Sequence, residues 1–332
     1  MRRRASLVLL AAAVFFAALS PLLRWYAFPR LAKVPPSQYQ SVVMEAKDAD
    51  LIDYNKMEAR KVPKVNIVQT LKGNVEQAKK VKNATGRDVV VWDTLSYIVG
   101  PDGKMVSRIP ERYVFDAHSQ EPVHAGGESV DGTPVRRDGI EYKWPFLTEK
   151  RDYQYFDMQT RTSAPIHYRG TQNFHGLKVY YFEQTIPWTK VPLPKKMPLG
   201  VTPEVVKQTG LERWYSTKRM FWVDPVTGAP VNGEEQHKEE MRWTGHPEKK
   251  PITAFAGHVK MRPDYVQSTL KLVKSQRVLV LLLTSYLPWG FLGLGFVLLA
   301  LSLVLEARSR RPGSGAAPAE NPAAPDPEPV PV

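Results

Sequence analysis

The stretch Val278 to Leu305, VLVLLLTSYLPWGFLGLGFVLLALSLVL, decides how this chain is organised. Arg277 precedes it, and Glu306 and Arg308 follow it. At a rise of about 1.5 Å per residue, a helix of this length exceeds the roughly 30 Å hydrocarbon core of a bilayer. The stretch therefore predicts a transmembrane helix.

Pro288 lies inside this run, and three glycines follow it closely. Helices in lipid tolerate such residues better than helices in water, and proline interrupts the backbone hydrogen bonds, so we expect a kink near Pro288. Tyr286 and Trp289 are residue types typical of the headgroup boundary. We therefore predict that these two side chains anchor the helix at the membrane interface.

A second apolar run, Ala5 to Leu23, follows three arginines at the start of the chain. A cleaved signal peptide needs small residues before the cut, but Leu19 and Pro21 crowd that place. We favour an uncleaved anchor over a cleaved signal. In that case Trp25 and Tyr26 would lie at the outer membrane interface.

The two apolar runs divide the chain into four predicted segments. They are a signal-anchor helix over residues 1–28, an extracytoplasmic β-rich domain over 29–263, a pre-membrane segment and transmembrane helix over 264–306, and a disordered Pro/Ala-rich tail over 307–332. Lys and Arg flank both runs on both sides, so the positive-inside rule leaves the orientation undecided. An apolar run behind a short basic N-terminus is what the export machinery recognises, which favours cytoplasmic termini and an exported middle.

The composition excludes several classes of protein. Without cysteine there is no disulfide framework, thiolate metal site or cysteine nucleophile. The formal net charge of +13 favours contact with anionic headgroups or wall polymers, although a solvated basic surface has the same composition. Asp and Glu are interleaved with Lys and Arg throughout the chain and no recognised nucleic-acid motif is present, so we expect no nucleic-acid partner. Since no P-loop or dinucleotide fingerprint occurs, we expect no cofactor.

The middle of the chain has the pattern of an antiparallel β protein. Asp88 to Val99, DVVVWDTLSYIV, is rich in β-branched and aromatic residues, and a Gly-Pro-Asp-Gly turn separates it from Met105 to Phe115, which predicts a hairpin. Further turns are predicted at Asp131-Gly132, Asp138-Gly139, Asp224 to Gly228 and Asn232-Gly233. Further strands are predicted at Ser41 to Ala46, Val62 to Val75, Gln154 to Met158, Leu177 to Ile186, Arg213 to Val223 and Thr253 to Lys260. Helices between the anchors are predicted only at Pro203 to Gln208 and Pro263 to Ser275.

Several of these strands are apolar on both faces. In the strand from Leu177, Val179 and Tyr181 point one way, while Tyr180 and Phe182 point the other. Burial on both faces arises when a sheet curls, packs between layers or lines a cavity. We therefore expect a mainly β fold with a large antiparallel curled sheet, barrel-like or a sandwich, and a lipid-accepting cavity as the sharper alternative to a packed core.

Two short segments repeat one pattern. Phe156-Asp157-Met158-Gln159-Thr160-Arg161 and Trp222-Val223-Asp224-Pro225-Val226-Thr227-Gly228 each place an Asp within two residues of an aromatic residue near a strand end. The carboxylate of such an Asp can accept hydrogen bonds from the backbone amides of the turn. We interpret Asp157, Asp224, Thr227 and Gly228 as structural turn residues.

These segments, together with Trp144-Pro145-Phe146 and Gly176 to Tyr180, resemble the actinobacterial porin PorA family. The resemblance covers the chain from the first anchor to the second. It implies a double-anchored envelope protein of a high-GC Gram-positive bacterium, and some relatives are associated with envelope glycolipid and lipoglycan assembly. Arg161 departs from the family pattern, which favours a Gly there, as at Gly228.

No complete catalytic motif is present, so we predict that the protein is not an enzyme. His124 to Ser129 resembles an oxyanion loop with a nucleophile, but Asp131 stands where a nucleophile elbow needs its second Gly. We interpret the remaining candidates, which lack a recognised metal-ligand spacing, as scattered surface residues. They are Asp116 with His118 and His124, and His237 with His246 and His258.

Three functional hypotheses remain. We favour a membrane-anchored extracytoplasmic binding module for an envelope lipid or glycolipid, which would support envelope assembly or transport. The alternatives are a non-catalytic scaffold that recruits other envelope proteins and, less favoured, a hydrolase or transferase using Ser129 or His124. A pore, as the family name suggests, is disfavoured, because two helices per chain would have to oligomerise to enclose a conduit and the strands lack the regular alternation of a transmembrane barrel. The expected partners are therefore membrane lipid or envelope glycolipid, and secondly other envelope proteins.

Overall fold

The computed structural model describes residues 2–197 and 202–310. The chain forms two compact units. One contains the residues up to Trp25 together with those from Ser285 onward, and the other contains Tyr26 to Thr284. The tail predicted over 307–332 lies outside the described residues from 311 onward, whereas residues 307–310 continue a helix.

The first unit is a pair of apolar helices. Helix α1 (Arg2–Pro21) leads into a π-helical turn (Leu22–Ala27) and the short α2 (Phe28–Leu31) of the second unit, and α6 (Leu287–Arg310) follows a second π-helical turn (Leu282–Tyr286). The helical stretches Arg4–Leu31 and Pro263–Arg308 are long and apolar enough to cross a membrane. This fits a membrane or envelope location.

Polar and aromatic contacts hold α1 and α6 side by side. The Ser6 hydroxyl donates to the Ser302 carbonyl oxygen at 3.1 Å, and the Ser302 hydroxyl donates to the Ser6 carbonyl oxygen at 2.8 Å. At the opposite end, the rings of Phe16 and Phe291 are 5.5 Å apart. Because the start of α1 meets the end of α6, the two helices are antiparallel.

The second unit is built on one sheet of twelve antiparallel strands. The strands are β1 (Tyr39–Asp53), β2 (Glu58–Gly73), β3 (Val89–Val99), β4 (Met105–Asp116), β5 (Ser129–Val130), β6 (Thr133–Pro134), β7 (Tyr153–Asp157), β8 (Thr162–Phe174), β9 (Leu177–Lys190), β10 (Leu211–Val223), β11 (Pro230–Trp243) and β12 (Ile252–Met261). Their order is β6-β5-β4-β3-β2-β1-β12-β11-β10-β9-β8-β7, with β6 and β7 at the two open ends. The prediction of a mainly β fold with a large antiparallel sheet between two apolar helices is confirmed.

Three further helices belong to this unit, namely α3 (Val75–Thr85), α4 (Pro203–Gln208) and α5 (Pro263–Leu281). The predicted extension of a strand to Val75 is wrong, because the Asn74 side chain accepts a hydrogen bond from the Gln77 amide and caps α3. Helix α3 ends at Gly86, whose φ of 70° is the left-handed C-terminal conformation.

The predicted turn at Asn232-Gly233 is also wrong. Both residues lie inside β11, where Asn232 pairs with Trp222 and Gly233 with Phe221. A Cβ atom on Gly233 would come within 3.1 Å of the Phe221 ring. The glycine therefore makes room for a neighbouring ring rather than for a turn.

The apolar character of both faces of β9 has a structural reason. On one face, Val179 is buried with Val266 and Leu270 of α5. On the other face, Phe182 is buried against Trp144, which precedes β7, and against Tyr153 of β7. Each face is thus covered by a different element, and the side-chain packing on both faces stabilises the centre of the C-terminal half of the sheet.

Candidate functional site: a cavity with a charged wall

The curled sheet surrounds a cavity of about 910 Å³. Its lining residues recur at alternate strand positions, such as Ile67, Gln69 and Leu71 of β2. Side chains at alternate positions of a strand lie on one face of the sheet. Since strands from both halves of the strand order contribute, this face curls around a shared space.

One part of the cavity wall is apolar. Phe28 and Leu31 of α2 line it, as do Leu272 and Leu279 of α5 and Leu283 just beyond it. These residues lie close in sequence to the two points where the chain passes into the apolar helices of the first unit. The cavity wall therefore extends to both chain ends of the sheet unit.

A chain of buried ion pairs forms another part of the wall. The Arg213 guanidinium donates to both carboxylate oxygens of Glu239, at 2.8 and 2.7 Å. Arg219 donates to Asp157 at 2.7 Å and to Glu235 at 3.4 Å. Charges removed from water need such partners, because an unpaired buried charge is costly.

His237 links the two glutamates of β11. Its Nδ1 lies 2.8 Å from Glu235 Oε1 and its Nε2 lies 2.8 Å from Glu239 Oε1. Burial disfavours the imidazolium, but hydrogen bonds to both carboxylates outweigh this effect and raise the pKa of His237 to about 9. Burial would raise the pKa of Glu235, yet Arg219 and His237 hold it well below its usual range. Both pKa shifts favour the ionised forms of His237 and Glu235 at neutral pH.

A second buried cluster surrounds Arg137. Its guanidinium contacts Glu111 at 2.9 Å and Glu141 at 3.0 Å, and its side chain has no exposed surface. The Tyr142 hydroxyl donates to Glu111. Burial, and then the nearby Glu111 charge, raise the pKa of Glu141 well above its usual range. Glu141 and Tyr142 also line the cavity.

The two predicted aspartate turns have matching geometry. Asp157 accepts from the Thr160 amide at 2.7 Å, and Asp224 accepts from the Thr227 amide at 2.8 Å and from the Thr227 hydroxyl at 2.9 Å. The residue four positions after each Asp has a positive φ, 58° at Arg161 and 71° at Gly228. The backbone at Arg161 therefore takes the conformation that favours glycine.

The aromatic residues predicted to lie at the membrane interface have large exposed fractions. These are 72% for Trp25, 55% for Tyr26, 62% for Tyr286 and 69% for Trp289. The π-helical turn Leu282–Tyr286 ends two residues before Pro288, a residue without an amide hydrogen to donate. Interface anchoring and the kink stay predictions.

The polar residues singled out from the sequence take separate positions. His124 Nδ1 lies 3.0 Å from Glu128, Asp116 accepts from the His118 and Ser119 amides, and Ser129 belongs to β5. The interpretation of His237 as a surface residue is wrong, because its side chain is 10% exposed and bonded on both nitrogens. The alternation of Glu235, His237 and Glu239 along one strand face was the signal for this network.

These observations define a membrane-associated protein with a curled β sheet around a cavity. The sequence profile described as Porin PorA matches residues 5–304, so the chain belongs to this family. A Porin PorA of Corynebacterium resistens is 26% identical over 289 residues, which cover 62% of this chain and 68% of the relative. A Porin PorA of Corynebacterium amycolatum is 20% identical over 299 residues, which cover 70% of this chain and 75% of the relative.

The comparisons correct our functional expectation. We expected a binding module for an envelope lipid or glycolipid, but both relatives carry the name Porin PorA, which points to a pore-forming protein. The scaffold alternative and the specific picture of a pore assembled from several chains gain no separate support. Membership of a porin family favours a protein that is not an enzyme.

Proposed function

We propose that the protein is a pore-forming envelope protein and that the cavity of its sheet unit is part of the route for small solutes. The supporting observation is the cavity of about 910 Å³, whose wall combines an apolar part with buried ion pairs. A route for polar solutes requires polar lining groups, and a fixed network of charges keeps such a wall from collapsing. The printed name of the two relatives supports the same proposal.

We also propose that both termini are cytoplasmic and that the sheet unit is outside the cell membrane. The antiparallel contact of α1 with α6 supports placing both termini on one side, because two packed antiparallel spans return the chain to the side from which it started. The apolar run behind a short basic N-terminus favours the cytoplasm as that side. The chain has no natural cysteine, so a single introduced cysteine reports its own position. Lys104→Cys, in the β3–β4 turn, should react with a membrane-impermeant maleimide in intact cells. Reaction only after permeabilisation would reverse the topology.

Conductance of the purified full-length protein in planar lipid bilayers tests the pore. Stepwise currents are expected for the wild type. Thr269→Trp places a large ring on the cavity-lining side of α5 and should reduce the unit conductance severalfold. Gln267→Trp, at an exposed position of the same helix that does not line the cavity, is the matched control. Absence of currents from a folded wild type, or equal conductance of the two variants, would remove the cavity as the route.

A role without catalysis is part of the same proposal. Ser129→Ala and His124→Ala should leave the unit conductance unchanged, because neither residue lines the cavity. A loss of function in cells that carry either variant, with normal conductance and normal protein levels, would point to a chemical activity instead. Contact with other envelope proteins stays a prediction, which cross-linking from exposed loops would test.

A further inference from the structure

Almost every charged side chain in the described cavity wall has a partner of opposite charge. The pairs are Lys33 with Asp88 at 3.2 Å, Glu141 with Arg137 at 3.0 Å, Arg213 with Glu239 at 2.7 Å, Arg219 with Asp157 at 2.7 Å, Arg219 with Glu235 at 3.4 Å, Glu234 with Lys260 at 3.5 Å, and His237 with Glu235 and Glu239 at 2.8 Å each. The wall therefore presents mostly neutralised pairs to anything inside the cavity.

Lys143 is the exception. Its ammonium donates to the Trp144 carbonyl oxygen at 2.9 Å and to the Gln120 side-chain oxygen at 3.4 Å, and it lies 3.9 Å from the centre of the Phe146 ring. All three groups are neutral, and within the described chain no carboxylate lies within 4.0 Å of Nζ. A lysine ammonium has three donors, so these bonds leave one donor available.

The carboxylate whose charge acts on Lys143 is already committed elsewhere. Asp224 accepts from Arg277 at 2.6 Å and from the Thr227 amide and hydroxyl. Burial lowers the pKa of Lys143 to about 7, and the Asp224 charge offsets only part of this effect. A cation in this position is stabilised when an anion enters the cavity and bonds to it.

We propose that Lys143 is the docking point for a small organic anion, a carboxylate with an apolar or aromatic body, inside the cavity. The anion would accept from the available donor and neutralise the one unpaired charge among the described residues of the wall. Phe146, Trp92 and Tyr142, which also line the cavity, offer aromatic surface to the body of such a solute. The inference rests on the proposed pore, because it names the class of solute that the route accepts.

Calorimetric titration of the full-length protein in detergent tests this site. Benzoate is the probe, and benzyl alcohol and benzylammonium are its neutral and cationic counterparts, each corrected for uptake by empty micelles. Benzoate should bind saturably and at least about tenfold more tightly than either counterpart, which is the size expected for one charge-assisted hydrogen bond. Equal affinity for benzoate and benzyl alcohol would overturn the site.

Variants assign the binding to one side chain. Lys143→Met should weaken benzoate binding about tenfold or more, and Lys143→Arg should restore most of it. Lys104→Met, an exposed lysine outside the cavity wall, should bind as the wild type does. Unchanged binding by a folded Lys143→Met protein would refute the inference. Binding without bilayer currents would remove the pore and keep the anion site, and currents without Lys143-dependent binding would do the reverse.

Discussion

The turn after β7 and the turn after β10 have the same backbone plan but different surroundings. In both turns an Asp accepts from the amide three residues on, and its carbonyl oxygen accepts from the amide four residues on, at 2.8 Å in the first turn and 2.9 Å in the second. In both, the free carboxylate oxygen binds an arginine. The repeated geometry shows that local sequence determines the backbone conformation of the turn, whereas the surrounding residues determine which contacts the turn makes.

The neighbours differ in two ways. The second turn packs against backbone, because a Cβ on Gly228 would lie 2.1 Å from the Trp144 carbonyl oxygen. The first turn has room for the half-buried Arg161 at the same position. The first Asp binds Arg219 of the cavity wall, whereas the second binds Arg277 of α5, which is 26% exposed. Four predictions can break or sharpen this comparison.

Gly228→Ala should have the largest effect. The added carbon overlaps two backbone oxygens and imposes a left-handed φ on a non-glycine residue, so we expect a loss of about 3 kcal/mol or more in the free energy of unfolding. Gly176→Ala is the control, since its φ is 75° with nothing within 4 Å of the added carbon, and it should cost only about 1 kcal/mol. Denaturant unfolding measures both, and similar losses would mean that conformation, not packing, requires Gly228.

Arg219→Gln should cost about 3 kcal/mol, because it leaves Asp157 buried without its cation and removes one of the two cations that contact Glu235. Arg277→Gln is the matched change at the second turn. We expect a loss of only about 1 kcal/mol there, since Arg277 is partly exposed and Thr227 still donates twice to Asp224. Equal losses in chemical unfolding would contradict the distinction between the two turns.

The first turn is joined to a pH-dependent network through Arg219 and Glu235, which His237 contacts. Because the pKa of His237 is raised to about 9 from an unfolded value of 6.5, its contribution is fully present below pH 6.5 and is lost as the pH rises through about 9. The stability difference between wild type and His237→Gln should therefore shrink over this range by an amount on the order of 2 kcal/mol. A stability difference that stays constant between about pH 6 and about pH 10 would show that His237 does not titrate in that range.

Arg161→Gly should have the smallest effect and the opposite sign. Glycine removes the cost of the left-handed φ but loses more backbone entropy on folding, so the net gain is about 0.5 kcal/mol. Arg161→Ala keeps the strain and removes the long side chain. A gain in the alanine variant equal to that in the glycine variant would trace the effect to the side chain rather than to the backbone.

The sequence predicted those features that depend on neighbouring residues. The β3–β4 hairpin followed from a run of β-branched residues and a Gly-Pro-Asp-Gly turn, and the turn at Asp224 followed from its local hydrogen-bonding chemistry. The cavity wall could not be predicted in this way. Arg213 and Glu239, or Arg219 and Asp157, are far apart in the chain and meet only through strand register and sheet curl.

The unpaired state of Lys143 was equally hidden in the sequence. It depends on which acidic side chains reach the cavity and on Asp224 being occupied by Arg277. The start of α3 shows a different limit, because Asn74 is a helix cap only if the preceding strand ends at Gly73. Composition therefore indicated the class of fold, whereas tertiary contacts decided the site.

The strand order carries a consequence for biogenesis. The strands β1 to β6 form one consecutive meander and β7 to β12 form another, and among the described strands the two are joined by the pairing of β1 with β12, for example at Ala46 and Val259. The edge of β1 that pairs with β12 therefore has no partner strand until β12, the last strand, has been synthesised. The pairing of β1 with β12 is a late event between distant parts of the chain, which makes it a candidate for the slowest folding step. Until then, the exposed edge of β1 is where a holding chaperone would be of most use.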